Sequence, residues 1–109
     1  MNRGDVFWCD FQAPDKRRPV VLMARDEVVS YMQSLTVVPI TSTIRAVPSY
    51  VSLSLEDGLF QDCCANGDGL QTVPRASLGE RITTLSERRM IEISRAVVFA
   101  LGLEAALRP

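Results

Sequence analysis

Short apolar runs separated by turn-forming residues make up most of the chain before residue 85. Residues 4–11 alternate apolar and mixed side chains, and residues 50–55 alternate cleanly, which is typical of strands with one buried face. Residues 19–24 are almost wholly apolar, as in a strand that is covered on both faces. The pattern predicts strands at 4–11, 19–24, 35–40, 50–55, 63–73 with an interruption at 66–69, and 78–83.

The last quarter of the chain predicts one long helix over 87–101. Ser86 is a good N-cap, Glu87 places a negative charge in the first turn, and Gly102 is a good C-terminal stop. The apolar residues between them fall at helical spacing: Met90, Ile93, Val97, Val98 and Leu101. Several short strands with one terminal helix predict a mainly β or α+β fold, a small antiparallel sheet or partly open barrel, as a single domain over 1–109.

The net charge of the chain gives no sign of a polyanionic partner, but the positions of its positive residues do. The formal net charge is −1, whereas proteins that bind nucleic acid through overall charge are usually basic. The densest positive cluster is Lys16-Arg17-Arg18, which stands directly before Pro19 and the apolar run. Proline biases the preceding Arg18 toward an extended backbone at the mouth of that strand. Any anion site must therefore be local, and this cluster is the strongest candidate.

Cysteine and histidine usage narrows the possible chemistry. Of the three cysteines, Cys63 and Cys64 are adjacent, which is poor disulfide geometry, so we expect reduced thiols that pack as small apolar side chains in a cytoplasmic protein. The sequence has no histidine, which excludes Ser-His-Asp, Cys-His and paired-histidine chemistry. No metal site or cofactor is expected. The polar opening residues and the lack of a membrane-length apolar run predict neither a signal peptide nor a membrane partner.

Three stretches, in order, resemble the signature stretches of the MazF/PemK endoribonuclease toxins of type II toxin–antitoxin systems. They are RGDVFW at 3–8, RPVVL at 18–22 and VPITS at 38–42, and LGERI at 78–82 before a helix is similar as well. The resemblance covers essentially the whole chain. It implies an SH3-like, partly open antiparallel β-barrel with a C-terminal helix, and a homodimer. It also implies metal-independent, sequence-specific cleavage of single-stranded RNA by its 2′-hydroxyl, and inhibition by a cognate antitoxin.

The resemblance implies that Arg18 and Thr41 are the catalytic residues. Their chemistry suits the reaction, because RNA carries its own nucleophile and phosphoryl transfer depends mainly on positioning and charge stabilisation. A guanidinium can bind two phosphate oxygens at once, and a hydroxyl adds one donor or acceptor. Arg18 fits the role of charge stabiliser better than that of acid, since the pKa of arginine exceeds about 12. In other proteins, an arginine before a strand is often only a solvated charge, and a threonine at the end of a strand is often only a local cap.

Four further residues are candidates for RNA binding. Lys16 and Arg17 would contact flanking phosphates, or would simply be solvated. Ser42 belongs to the same hydroxyl-rich strand end as Thr41. Trp8 could stack an unpaired base, although a ring on an alternating first strand is more often part of the core.

Three carboxylates complete the candidate site. The resemblance implies that Asp68 contacts RNA or shapes the site, whereas its NGDG context at 66–69 is typical of a plain turn. Members of the family often carry a longer loop before the RPV stretch, with a glutamate that helps catalysis. That loop is short here, so Asp15 or Asp5 would accept the proton, or neither would. The residues at 69 and 71 also depart from the family pattern, so no cleavage sequence can be carried over.

Two other functions remain open from the sequence. A non-catalytic relative resembling the CcdB gyrase poisons would use its C-terminal helix against a protein target. A peptide-reading SH3-like module would need an aromatic-lined groove, and aromatic residues are only 6% of the chain.

An antitoxin would be expected to insert an extended, acidic segment into the cationic groove, because it competes with a polyanion.

Overall fold

The computed structural model describes residues 1–12 and 16–109, which form seven strands and two α-helices. The elements are β1 (Asp5–Asp10), β2 (Arg17–Leu22), α1 (Asp26–Val29), β3 (Ser34–Thr41), β4 (Tyr50–Leu53), β5 (Cys63–Asn66), β6 (Gln71–Pro74), β7 (Leu78–Thr84) and α2 (Glu87–Leu101). The strands predicted from the sequence are confirmed, and the 63–73 segment divides into β5 and β6 around a 3-10 turn at Gly67–Gly69. The one-turn helix α1 is not predicted by the sequence, because four residues are too few to show helical periodicity.

The strands form one antiparallel sheet in the order β4-β5-β3-β2-β1-β7. The eight-residue strand β3 joins its parts: β2 pairs along one side of it, while β6 and β5 pair with its first and last residues. The predicted class, a partly open antiparallel β-structure with a C-terminal helix, is confirmed.

The central strands bury both of their faces. In β1, Val6 packs into one hydrophobic cluster, while Phe7 and Cys9 pack into a second. In β2, Val21 belongs to the first cluster and Val20 to the second. This two-sided burial explains why the sequence of β2 is a continuous apolar run rather than an alternating one.

Helix α2 covers the first cluster through the buried Ile93, and Met90 and Val97 pack against the same cluster. The helix has the predicted bounds. At its start the Ser86 hydroxyl accepts a hydrogen bond from the Arg89 backbone N–H at 3.2 Å, and at its end Gly102 is left-handed, with φ of 66°.

An ion-pair network fastens α2 to the turn that follows β4. The Arg89 guanidinium lies 2.9 Å from Asp57 and 2.9 Å from Glu92, and the pKa of Arg89 is raised by the hydrogen bond to Asp57 and then by that to Glu92. The Asp57 carboxylate also accepts the Ser54 backbone N–H at 2.9 Å. We call Asp57, Arg89 and Glu92 the helix junction.

Strand β7 is an edge of the sheet within the part of the chain that the structure describes. It pairs with β1 alone, and the pairing shifts register twice. Glu80 and Arg81 are exposed; Arg81 lies opposite Phe7, between the two shifts, and Glu80 lies within the second. Charged residues and bulges are the features by which natural edge strands avoid pairing with other chains.

The three cysteines are free and buried, as predicted. Burial is the main cause that raises the pKa of the Cys9 and Cys63 thiols above its ordinary value. Considering residues 1–12 and 16–109, no helix has both the length and the apolar character needed to cross a membrane.

Candidate active site

A cleft of about 280 Å³ opens where β2 begins and β3 ends. Its lining consists of Trp8 from β1; Arg17, Arg18 and Pro19 from β2; Ile40 and Thr41 from the end of β3 and Ser42 directly after it; Leu59, Phe60 and Gln61 from the segment before β5; and Cys63, the first residue of β5. Five residues that the sequence singles out therefore share one cleft, namely Trp8, Arg17, Arg18, Thr41 and Ser42.

Strand pairing accounts for the meeting of Arg18 and Thr41. Val20 of β2 lies opposite Pro39 of β3. If this register is continued two residues beyond that last pair, it places Arg18 level with Thr41, and both residues line the cleft. A guanidinium and a hydroxyl from chain positions far apart thus reach the same site on neighbouring strands.

The Thr41 side chain is half-buried and locally oriented. Its hydroxyl oxygen accepts a hydrogen bond from the Thr43 backbone N–H at 3.1 Å. A hydroxyl can accept and donate at the same time, so the Thr41 proton can be donated to an oxygen in the cleft. The local cap considered from the sequence is therefore present, and it is compatible with a second role.

Arg17, Trp8 and Phe60 form a stack along one wall of the cleft. The guanidinium carbon of Arg17 lies 4.7 Å from the centroid of the Trp8 ring. The Trp8 and Phe60 rings lie 5.7 Å apart and are nearly parallel, at 12°. We call these three residues the stacked wall. Arg17 is the first residue of β2 and is not part of a loop, so its backbone is fixed by the pairing with Asp10.

The two described carboxylates of the predicted site lie outside the cleft lining. Asp5 is only 3% exposed, and its oxygens accept hydrogen bonds from the Thr84 hydroxyl at 2.7 Å and from the Asn2 backbone N–H at 2.9 Å. Asp68 accepts a hydrogen bond from the Ser49 hydroxyl at 2.7 Å, and Ser49 is buried. Both carboxylates thus hold their own surroundings together.

The remaining two predicted residues come from the loop before β2. Lys16 is exposed, lies outside the cleft lining, and has a left-handed backbone with φ of 54°. Its carbonyl oxygen accepts a hydrogen bond from the Phe11 backbone N–H. Asp15 lies outside the described residues.

Cys63 forms part of the cleft wall as a neutral thiol. Burial raises its pKa, and the neighbouring Cys64, Asp57 and Asp62 raise it further. Because the thiolate is the reactive form, Cys63 behaves at neutral pH as an apolar surface. In the described part of the chain, no three cysteine or carboxylate side chains lie together in a group that could hold a metal ion.

Sequence reasoning missed Phe60 and Gln61. The run LFQDCC at 59–64 contains isolated apolar residues without a period, so its pattern does not tell which side chain faces outward. The one available signal is Gly58, a turn-former directly before the run.

Comparisons with known proteins agree on one family. The model for the PemK-like, MazF-like toxins of type II toxin–antitoxin systems matches residues 2–101. The chain is 35% identical over 100 residues to the probable endoribonuclease MazF5 of Mycobacterium tuberculosis (strain ATCC 25618 / H37Rv), covering 91% of each. It is 32% identical over 103 residues to the probable endoribonuclease MazF2 of Mycobacterium tuberculosis (strain CDC 1551 / Oshkosh), covering 94% of this chain and 99% of the relative.

The fold is similar to solved structures as well. A mycobacterial endoribonuclease in complex with its cognate antitoxin superposes with a TM-score of 0.83 at 25% identity, covering 94% of this chain and 96% of that one.

Proposed function

We propose that this protein is an endoribonuclease that cuts single-stranded RNA without a metal ion. The chain belongs to the family of PemK-like, MazF-like toxins of type II toxin–antitoxin systems. The observation that carries the proposal is that Arg18 and Thr41 line one cleft, with Arg17 beside them. Two cations and two hydroxyls in one cleft suit a phosphodiester better than a neutral ligand.

In the proposed reaction, the 2′-hydroxyl of the RNA attacks the adjacent phosphorus. The O2′–P bond forms, the P–O5′ bond breaks, and negative charge accumulates on the nonbridging oxygens. Arg18 binds these oxygens through its planar fork, and the Thr41 hydroxyl donates a hydrogen bond to one of them. The leaving 5′-oxygen takes a proton from solvent.

The proton of the 2′-hydroxyl needs an acceptor. Asp5 does not suit this role, because its carboxylate is buried and occupied by Thr84 and Asn2. We therefore place the role on Asp15 or on solvent water.

Flanking residues hold the RNA strand on either side of the cut. Arg17 and Lys16 contribute positive charge, and Ser42 a hydroxyl at the end of β3. We assign Asp68 to shaping the site through Ser49, not to touching RNA. A gyrase-poison role is not favoured, because Arg18 and Thr41 would then have no reason to share a cleft.

Two protein partners accompany the proposed activity in the cytoplasm. The first is a cognate antitoxin, whose extended acidic segment would occupy the cationic cleft and exclude RNA. The second is another copy of the chain. A homodimer would cover exposed apolar residues of α2 and of the segment after it: Ile91, Phe99, Leu101 and Leu103.

The test is cleavage of a defined RNA in EDTA by wild type, Arg18→Ala and Thr41→Ala. We expect wild type to cut, Arg18→Ala to be roughly 100- to 1,000-fold slower, as when one oxyanion donor is removed, and Thr41→Ala roughly 10- to 100-fold slower. Arg25→Ala is the matched control, because Arg25 is an exposed arginine outside the cleft.

Circular dichroism must show that each variant is folded. The nuclease proposal fails if EDTA abolishes cutting or if both cleft variants cut as fast as Arg25→Ala. Inhibition of DNA supercoiling by a protein that leaves RNA intact would favour the gyrase-poison function.

A further inference from the structure

Phe60 is an exposed aromatic ring inside the cleft. Its side chain is 65% exposed, although burying a phenylalanine would stabilise the fold. Other large exposed apolar residues, such as Leu107 with the same exposure, lie outside the cleft. Phe60 thus keeps an apolar surface open at the place where the proposed substrate must lie.

The chain around Phe60 holds the ring in that position. Gly58 is left-handed, with φ of 91°, and its backbone N–H donates to the Leu55 carbonyl at 3.0 Å. The next residue, Leu59, is buried in the first hydrophobic cluster, and its N–H donates to the Ser54 carbonyl at 3.3 Å. Because Leu59 is anchored in the core, the Phe60 ring is already held outward before a ligand arrives. Little conformational entropy is therefore lost when a ligand binds to the ring.

The stacked wall combines flat rings with a cation. Parallel rings 5.7 Å apart lie within the range of offset stacking, and a guanidinium 4.7 Å from a ring centroid is a cation–π contact. Single-stranded nucleic acids are held by this combination: aromatic rings take the unpaired bases, and positive charges follow the phosphates. A neutral aromatic ligand would use the rings but would gain nothing from Arg17 and Arg18.

We propose that the stacked wall is a base platform, in which the exposed Phe60 ring, backed by Trp8, receives one unpaired base beside the phosphate that Arg18 holds. This rests on the proposed function of the cleft as an RNA site. Because every base has a flat face, the platform fixes the register of the strand rather than its full sequence. Phe60 is then a positioning residue, since it places the phosphodiester without touching the reacting atoms.

The experiment compares wild type with Phe60→Ala, Phe60→Tyr and the control Leu107→Ala. After the cut in a defined RNA has been mapped, a short RNA of that site is made with 2′-deoxyribose at the cut nucleotide, so that it binds without reacting. A matching set carries an abasic sugar at one position after another. Binding is followed by the fluorescence of Trp8, the single tryptophan of the chain.

We expect Phe60→Ala to weaken binding and raise KM about 5- to 100-fold, with kcat within a few-fold of wild type. Phe60→Tyr and Leu107→Ala should bind like wild type. One abasic position should weaken binding to wild type by a similar factor and should have little further effect on Phe60→Ala. A change in protein stability alone would not produce that dependence on one nucleotide.

The platform is overturned if Phe60→Ala binds as tightly as Leu107→Ala, or if no abasic position distinguishes it from wild type. The same experiment also separates failure of the platform proposal from failure of the nuclease proposal. If wild type leaves the defined RNA uncut, the abasic set is made on that RNA itself, and binding with one abasic-sensitive position keeps the platform and loses the nuclease. Wild type that neither cuts nor binds RNA overturns both.

Discussion

The helix junction and the stacked wall both use arginine, in opposite ways. Arg89 is 19% exposed and is neutralised by Asp57 and Glu92, each 2.9 Å away. Arg17 is exposed and lies over the face of Trp8. The charge of Arg89 is balanced by carboxylates within the protein. Arg17 instead shares a cleft with an exposed phenylalanine and another arginine.

This difference separates holding the fold from holding a ligand. Charge-assisted hydrogen bonds between partly buried groups stabilise the folded state, because the unfolded chain cannot maintain their geometry. A cation beside an open aromatic ring leaves donors and apolar surface for a partner to use. Residue type alone therefore does not tell which arginine is available to a ligand, because that depends on the groups around it.

Gly58→Ala has the largest effect we expect on this comparison, because Gly58 stands between the helix junction and the stacked wall. An added Cβ would lie 2.2 Å from the Thr83 hydroxyl oxygen, at a φ of 91° that non-glycine residues rarely adopt. Strain and overpacking together should cost about 2–4 kcal/mol. Displacing Phe60 should also weaken RNA binding. Urea unfolding and the Trp8 titration measure the two effects.

Gly102→Ala is the matched control for that variant. Gly102 also has positive φ, at 66°, but nothing lies within 4 Å of an added Cβ. Gly102→Ala should lower the free energy of unfolding only through backbone strain, by about 1–2 kcal/mol, and should leave RNA binding unchanged. Equal losses in the two variants would mean that the contact with Thr83 has no energetic role.

Arg89→Ala should destabilise the fold and spare the cleft. Removing the guanidinium leaves Asp57 and Glu92 without their charge partner, so we expect a loss of about 2 kcal/mol in the free energy of unfolding. Specific activity, corrected for the folded fraction, should stay at the wild-type level. Arg88→Ala, the exposed neighbour on the same helix, should change stability by less than about 0.5 kcal/mol. A catalytic defect in folded Arg89→Ala would contradict the separation of the two regions.

The smallest effect we expect is a loss of stability at alkaline pH. Burial raises the pKa of the Cys9 and Cys63 thiols in the folded state, so the unfolded chain loses these protons first as pH rises. Stability should be unaffected below about pH 8 and should fall above pH 8.5, by less than about 1 kcal/mol per thiol at pH 9. Urea unfolding between pH 7 and 9.5 checks this. Cys9→Ala and Cys63→Ala should each show a shallower fall than wild type.

Features with local signals were predictable from the sequence. The bounds of α2 follow from Ser86 and Gly102, because a cap hydroxyl and a left-handed glycine act within one turn. The break between β5 and β6 follows from the NGDG turn at 66–69. Arg18 and Thr41 were singled out because each stands in an ordered motif, and strand register then brings them to one cleft.

Features that depend on distant contacts were not predictable. The partner of Asp68 is Ser49, nineteen positions away, and no local pattern links the two. Phe60 gains its place only because Leu59 finds a buried site and because Trp8 arrives from β1. The sequence pattern begins the second strand at Pro19, whereas Arg17 is already a strand residue because it pairs with Asp10.

The exposed charges on β7 have a consequence that we expect to appear at high protein concentration. Within residues 1–12 and 16–109, β7 pairs on one side alone, and its other side offers backbone donors and acceptors against which a second chain could align. Glu80 and Arg81 interrupt such an alignment, because a neighbouring β7 would have to accommodate their charges while the register shifts bend it away. We expect these two charges, which lie outside the cleft lining, to keep the protein from growing into fibrous aggregates.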